Sequence, residues 1–170
     1  QSAGDQVALT AALDAAELAY GRQAAGLTAA RKSNAAALDV AVMAELAPLK
    51  MDRAVFTTQI TPAASDGPEG RDVVAFEVAT NPGSPSGPLA KIASGGELSR
   101  FLLALKVCLS APDGGRTMIF DEIDRGVGGA TADAVGRRLS GLAFGGQILV
   151  VTHSPQVAAL GQHHWRVEKR

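Results

Sequence analysis

The chain has 170 residues and a mass of 17.3 kDa, with 16 Lys and Arg against 17 Asp and Glu, so its formal net charge is -1. This length allows one domain with a real core, or one domain plus an appendage. The balanced charge shows no electrostatic footprint for nucleic acid or for an anionic membrane surface. One cysteine, Cys108, excludes an internal disulfide and is typical of a reducing compartment. No apolar run of about 18 residues predicts a membrane span, and the first residues do not resemble a signal peptide.

The first fifty residues predict one long helix. Larger apolar side chains recur there at spacings of three and four, as a narrow stripe: Leu9, Leu13, Ala16, Tyr20, Leu27, Ala30, Leu38, Val42, Leu46 and Leu49. Such a stripe is typical of a two-helix coiled coil, and equally of an amphipathic helix packed on its own domain. The sequence predicts no second long helix to pair with it.

After Pro48 the apolar pattern changes to a period of two. Residues 54–60 and 73–80 predict two strands, with a turn-rich segment between them, and residues 81–88 predict a solvated loop. Helices and apolar strands then alternate. We expect helices over 94–110, 131–142 and 155–160, and strands over 117–120, 147–152 and 165–167, which indicates a parallel sheet with helices on its faces.

The segment TMIFDE is an apolar strand that ends in Asp121 and Glu122. In open α/β folds the carboxyl edge of a parallel sheet is where ligands bind. Asp121 there could hold Mg²⁺ through water, and Glu122 could orient or deprotonate a water molecule. A strand that merely runs into an acidic turn is a common alternative.

The segment SGGELSR places Ser94 and Glu97 at the spacing of a helix-capping box, with Gly95 and Gly96 between them. Glycine allows another molecule to approach the backbone closely, and free amides at a helix start attract anions. A capped helix that binds nothing is the alternative.

The segment VVTHSP is an apolar strand that ends at His153, which could donate to a phosphate oxygen or could be purely structural. Ser94, Asp121 and His153 also occur in the chain order of an α/β-hydrolase triad, but Ser94 lacks the G-x-S-x-G elbow. A metal site from Cys108, His153, His163 and His164 matches no ligand spacing. The glycines of residues 123–131 do not match a phosphate loop, and no Gly-Lys pair occurs in the chain.

Together, LAKIASGGELSRFLLALK, IFDEIDRGVGGATADAVGRRL and VTHSPQVAALGQHHWRVEK resemble the C-terminal half of the ABC-type ATPase head of SMC-like bacterial DNA repair proteins. The resemblance covers about residues 72–169. It implies an α/β head lobe over residues 51–170 and a returning coiled-coil arm over residues 1–50.

The resemblance also implies roles for individual residues. The signature motif, which caps the γ-phosphate of ATP bound to the opposite head, would be Ser94, Gly95, Gly96 and Glu97. Asp121 would be the Walker B acid that holds Mg²⁺, Glu122 the catalytic carboxylate, Asp124 the start of the D-loop, and His153 the switch histidine. Arg125 departs from the small or apolar residue expected in the D-loop.

The same resemblance implies ATP and Mg²⁺ as cofactors and three partners: the N-terminal half of the same protein, which would carry the phosphate loop, a second head, and DNA. A cytoplasmic, nucleoid-associated bacterial protein without membrane contact is expected. Lacking a phosphate loop, the chain alone should bind ATP weakly and hydrolyse none. The competing hypothesis is a non-catalytic coiled-coil assembly module with an α/β scaffold.

Overall fold

The structure is a computed structural model that describes residues 3–91, 95–109, 116–121, 123–124 and 126–168. Its helices and strands, in chain order, are α1 Ala3–Leu46, β1 Val55–Gly67, β2 Gly70–Ala79, β3 Gly87–Pro88, α2 Gly95–Leu109, β4 Arg116–Asp121, α3 Gly129–Leu142, β5 Gly146–Val151 and α4 Pro155–Ala158. Single turns of 3₁₀ helix lie at Leu89–Lys91 and Ala143–Gly145. Among the described helices, none has both the length and the apolar character needed to cross a bilayer.

The chain divides into two compact units. The first combines residues 1–37 with 58–75, and the second combines residues 38–57 with 76–170. The distal part of the β1–β2 hairpin thus groups with the N-terminal part of α1, whereas the sequence suggested a domain boundary at residue 50. That boundary stays a prediction.

In the first unit the hairpin turn is hydrogen-bonded to α1. The Tyr20 hydroxyl donates to the Gly67 carbonyl (3.0 Å) and accepts from the Gly67 amide (3.2 Å). Arg31 donates to the carbonyl oxygen of Glu69 at 2.8 Å. Gly70 has φ +90°, and a Cβ atom there would lie 3.1 Å from Leu27 Cδ2, so the turn needs glycine for both its conformation and its fit.

Asp72 connects strand β2 to the same helix. Its Oδ2 accepts hydrogen bonds from the Thr28 hydroxyl at 2.7 Å and from Arg31 at 3.2 Å, and its side chain is 7% exposed. These two donors hold the pKa of the Asp72 carboxyl below its ordinary value, and the Thr28 hydrogen bond has the larger effect. Burial acts in the opposite direction.

We expect Asp72 to stabilise the first unit above about pH 4 and to lose that effect as the pH falls further. A depressed pKa means that the ionised form is favoured in the folded state, so protonation removes the contribution. Thermal unfolding of wild type and Asp72→Asn at pH 7, 5 and 3 measures this: the difference between them should be present at pH 7 and 5 and shrink at pH 3. Asp66→Asn is the matched control, because Asp66 pairs with Arg71 in an exposed position. Equal stability of Asp72→Asn and wild type at pH 7 would contradict the assignment.

The hydrophobic core lies in the second unit. It combines buried side chains from the end of α1, the start of β1 and the end of β2 with others from α2, β4, α3 and α4. Its fully buried large side chains are Val42, Leu46, Leu49, Phe101, Leu103 and Val135. The Arg138 guanidinium of α3 forms an ion pair with Glu45 of α1, with two hydrogen bonds between them.

The strands of the described residues form two sheets. Strands β1, β2 and β3 form one sheet in that order, with β2 and β3 antiparallel and Val78 opposite Gly87. Strands β4 and β5 form a parallel pair with Arg116 opposite Gly146 and Asp121 opposite Val151. These elements confirm the predicted α/β class.

Several predicted bounds were wrong. β1 and β2 run far into the segment predicted as a turn and leave only residues 68 and 69 between them, because their pairing and the bonds to α1 outweigh the local turn composition. The loop of residues 81–88 contains the short strand β3. The strand expected over residues 165–167 is absent from the described chain: Trp165 and Val167 are 86% and 97% exposed, and no described strand pairs with them.

Candidate active site

The candidate site lies at the carboxyl edge of the parallel β4–β5 pair. Asp121 is the last residue of β4 and stands opposite Val151, the last residue of β5. Adjacent strands lie about 4.8 Å apart, so the segments that follow the two strands leave the sheet side by side. The Asp121 side chain is exposed at this edge, and so is that of His153, two residues beyond β5.

A hydrogen-bond chain connects these two segments. The Thr152 hydroxyl donates to Oδ2 of Asp124 and accepts from the Ser154 amide at 2.9 Å. Asp124 is 1% exposed, and its Oδ1 has no hydrogen-bond partner among the described residues. The Asp124 carbonyl accepts from the Val127 amide at 3.1 Å, which closes a turn just before α3. The buried Asp124 therefore connects the segment after β4 to the segment after β5.

His153 lies between the two hydrogen-bonded residues Thr152 and Ser154. In the described part of the chain, no hydrogen bond reaches the His153 ring. Ser154 is buried, and its carbonyl accepts from the Ala158 amide at 3.0 Å as helix α4 begins. The backbone on both sides of His153 is thus fixed while its imidazole faces solvent.

Helix α4 is set closely on α3 at Gly136. A Cβ atom at Gly136 would lie 3.2 Å from the Val157 Cα and 2.8 Å from Leu160 Cδ1. The absence of a side chain therefore permits the close approach of the two helices. This contact fixes the segment that follows His153.

The other predicted motif forms the start of α2. Gly95 and Gly96 open the helix and Glu97 follows in its first turn, where the positive end of the helix dipole favours an acid. The Arg100 side chain donates to the carbonyls of Gly96 (3.2 Å) and Leu49 (3.4 Å). Burial lowers the pKa of the Arg100 guanidinium, and Glu97 partly offsets this. A Cβ atom at Gly95 would meet nothing within 4 Å, so packing within the described chain does not require glycine there.

The structure brings Asp121, Asp124 and His153 to one edge of the parallel pair. Among the described residues, no hydrogen bond joins this edge to Gly95, Gly96 or Glu97. Ser94, Glu122 and Arg125 lie outside the described residues, so their assigned roles remain predictions.

Three polar residues of these segments were not recognised in the sequence as contributors. Thr152 and Ser154 flank His153, and Arg100 ends the SGGELSR motif. A hydroxyl residue on each side of a histidine at a strand end was the available signal for the first two. For Arg100 the sequence carries no signal, because its carbonyl partner Leu49 is distant in the chain.

The described residues of this edge offer a magnesium ion one ligand, the Asp121 carboxylate, so its other ligands would come from elsewhere. No cluster of three or more His, Cys, Asp or Glu side chains able to hold a metal occurs in the described part of the chain. Mg²⁺ bound to a nucleotide is usually held by one or two carboxylates together with phosphate and water oxygens. An exposed carboxylate at a strand end, as at Asp121, suits that mode of binding.

The fold is similar to that of SMC head domains of known structure. A structure from work on ATP-driven dimerization and DNA-stimulated activation of SMC ATPases superposes with a TM-score of 0.56, covering 84% of this chain and 83% of that chain at 18% identity. The Smc head domain with a coiled coil and joint from Pyrococcus yayanosii gives a TM-score of 0.55, covering 78% of this chain and 24% of that one at 20% identity.

In sequence, the chain is similar to RecN proteins. The chain is 44% identical to the DNA repair protein RecN of Rickettsia prowazekii over 150 residues, which are 88% of this chain and 27% of that protein. It is 43% identical over 172 residues to RecN of Streptomyces coelicolor, with 94% of this chain and 30% of that protein covered. No family model matches. The chain spans between a quarter and a third of these relatives, and over that span it is a relative of RecN, which confirms the resemblance that the motifs indicated.

Proposed function

We propose that the chain is the C-terminal part of a RecN-like ATPase for repair of DNA double-strand breaks, in which ATP is hydrolysed between two dimerised heads. The observation that carries the proposal is the meeting of Asp121, Asp124 and the His153 segment at one carboxyl edge of a parallel strand pair, in a chain with the fold of an SMC head. In open α/β sheets this edge is where ligands bind.

In this proposal the residues divide the chemistry. Bound Mg²⁺ would neutralise charge on the phosphates, and the exposed Asp121 carboxylate would hold that ion. Glu122 would orient the attacking water and take a proton from it. His153, whose ring is in solvent and whose backbone is fixed, would donate to the γ-phosphate oxygens. Each role places a fixed charge or dipole where charge develops.

The start of α2 would complete the site of a second head. The amides of Gly95 and Gly96 begin a helix of 15 residues, where the helix dipole favours an anion. Because space around Gly95 is open, a phosphate on another molecule could reach the backbone. Ser94 would add a hydroxyl donor. Glu97 follows Gly96 in the first turn of the helix. A homodimer through the heads is therefore part of this proposal.

The remaining part of the head would come from the N-terminal half of the same protein. The chain contains no Gly-Lys pair, so the lysine of a phosphate loop must be supplied from outside it. The parallel pair also keeps an apolar face exposed, with Ile119 63% and Val151 60% accessible. Parallel sheets are normally covered on both faces, so we propose that the N-terminal half of the protein packs on this face.

The N-terminal part of α1 would serve as one arm of a coiled coil. Residues 4–18 are exposed along their whole length, including Val7, Leu9, Leu13 and Leu18. A helix with apolar side chains in solvent gains stability from a partner helix. From the similarity to RecN, we also propose that the intact protein binds DNA. The same similarity leads us to propose that it is cytoplasmic and associated with the nucleoid.

The test compares this chain with the full-length protein that contains it. We expect Mg²⁺-dependent ATP hydrolysis by the full-length protein, and no turnover and little ATP binding by the chain alone, because it lacks contacts for the α- and β-phosphates. Phosphate release and calorimetric titration with ATP measure the two quantities. Measurable turnover by the isolated chain, or none by the full-length protein, would contradict the proposal. The latter result would favour a non-catalytic assembly module.

A further inference from the structure

We infer that Thr152 is a positioning residue: its hydroxyl ties the segment that carries His153 to the buried Asp124 and so fixes where the histidine stands relative to the end of β4. The inference rests on the proposed function for its catalytic consequence. The geometry on which it stands is independent of that function.

The tie joins two segments that the chain separates by 28 residues. Asp124 follows β4 and Thr152 follows β5, and the register of the two strands places their ends side by side. The hydrogen bond therefore crosses between the segment after Asp121 and the segment after Val151, at the edge where the reaction would occur.

A threonine hydroxyl is suited to this position because it donates and accepts at once. It donates to Asp124 Oδ2 and accepts from the Ser154 amide, so it holds its own residue and the residue beyond His153. Asp124 is 1% exposed, and a buried carboxylate that loses a hydrogen-bond donor is left with an unsatisfied oxygen. Removing the hydroxyl therefore frees both ends of the tie.

His153 depends on this backbone for its position. In the described part of the chain nothing holds its ring by a hydrogen bond, so the ring is placed by the residues on either side. Ser154 is fixed on its far side by α4, which packs on α3 at Gly136. The Thr152 hydroxyl is the corresponding anchor on the near side.

The experiment replaces Thr152 in the full-length protein with Val, which keeps the shape, and with Ser, which keeps the hydroxyl. We expect Thr152→Val to lower kcat on the order of 10²-fold, the loss typical of a misplaced catalytic group, with the KM for ATP changed by less than about 3-fold. Thr152→Ser should retain kcat within about 3-fold of wild type, because the hydroxyl can still form both bonds.

Ser86→Ala is the matched control. The Ser86 hydroxyl donates to Glu77 Oε2 at 3.2 Å, next to strands β2 and β3 of the other sheet. This variant loses a hydroxyl-to-carboxylate hydrogen bond of the same kind without touching the edge that carries His153 or the exposed face of the parallel pair, so its kcat should equal that of wild type. If Thr152→Val does not fold, Thr152→Ala replaces it.

A second measurement does not depend on ATP hydrolysis. Hydrogen exchange of the Ser154 amide should accelerate at least about 10-fold in Thr152→Val and stay near the wild-type rate in Thr152→Ser, because the amide loses its acceptor only in the former. Unchanged Ser154 exchange in Thr152→Val, or equal kcat values for the folded Val and Ser variants, would overturn the inference. Absence of ATPase activity in the wild-type protein would refute the proposed function instead. The exchange rates would still show whether the Thr152 hydroxyl holds the backbone at Ser154.

Discussion

Replacing Glu122 with Gln in the full-length protein is expected to lower ATP turnover by about 10²- to 10⁴-fold, the range that general-base catalysis contributes. Glutamine has nearly the same shape but cannot accept the proton of the attacking water. Nucleotide and metal contacts made by other residues should persist, so two heads should stay associated around unhydrolysed ATP. Phosphate release measures the first effect, and sedimentation of the protein with and without ATP measures the second.

The matched control for this variant is Asp133→Asn. Asp133 lies on α3, its side chain is 42% exposed, and it pairs with Arg137 one turn further along the same helix. Neutralising it removes a surface ion pair of small energetic value, so turnover should stay at the wild-type level. Wild-type turnover in Glu122→Gln would remove that residue from its proposed role, and a similar loss in both variants would show that the effect is only one of net charge.

Replacing Phe101 with Ala should destabilise the second unit by about 3–5 kcal/mol, the cost typical of truncating a buried aromatic residue. Phe101 is fully buried on α2, among the residues of the core cluster. Its removal loses the transfer free energy of the ring and leaves a cavity that its neighbours fill only in part. Chemical denaturation followed by circular dichroism measures the change in the free energy of unfolding.

Leu102→Ala is the control for this second variant. Leu102 is the next residue of α2 and is 41% exposed, so the same helix is changed where no cavity can form. Its cost should stay below about 1 kcal/mol. Comparable losses from the two substitutions would show that α2 does not bury the face seen in the structure.

The elements that place the candidate site were predictable from the sequence. β4 and β5 are short apolar runs, which is the pattern of a parallel strand buried by helices, and acidic or histidine residues follow them directly. This pattern alone predicted that Asp121 and His153 would share one edge. Helix α2, Gly95–Leu109, lies within the helix predicted over residues 94–110, whose two end residues are outside the described part of the chain.

Other features depend on contacts between residues that are distant in the chain. The tip of the β1–β2 hairpin is extended because Tyr20 and Arg31 of α1 bond to its backbone, which local turn composition does not reveal. The apolar stripe of α1 was predicted, but that part of it packs on a hairpin was not. The tie between Thr152 and Asp124 likewise joins residues 28 positions apart, and their pairing requires the register of the two strands.

The single cysteine of this chain has a practical consequence for attaching a label to it. Cys108 lies half-buried near the end of α2, and burial, with a smaller contribution from Glu45, raises the pKa of its thiol above the ordinary value. Since the thiolate is the reactive form, Cys108 should react slowly with maleimides at neutral pH. A cysteine introduced at an exposed position such as Leu13, which is 57% accessible, would therefore take up a fluorophore selectively, and the native thiol need not be removed first.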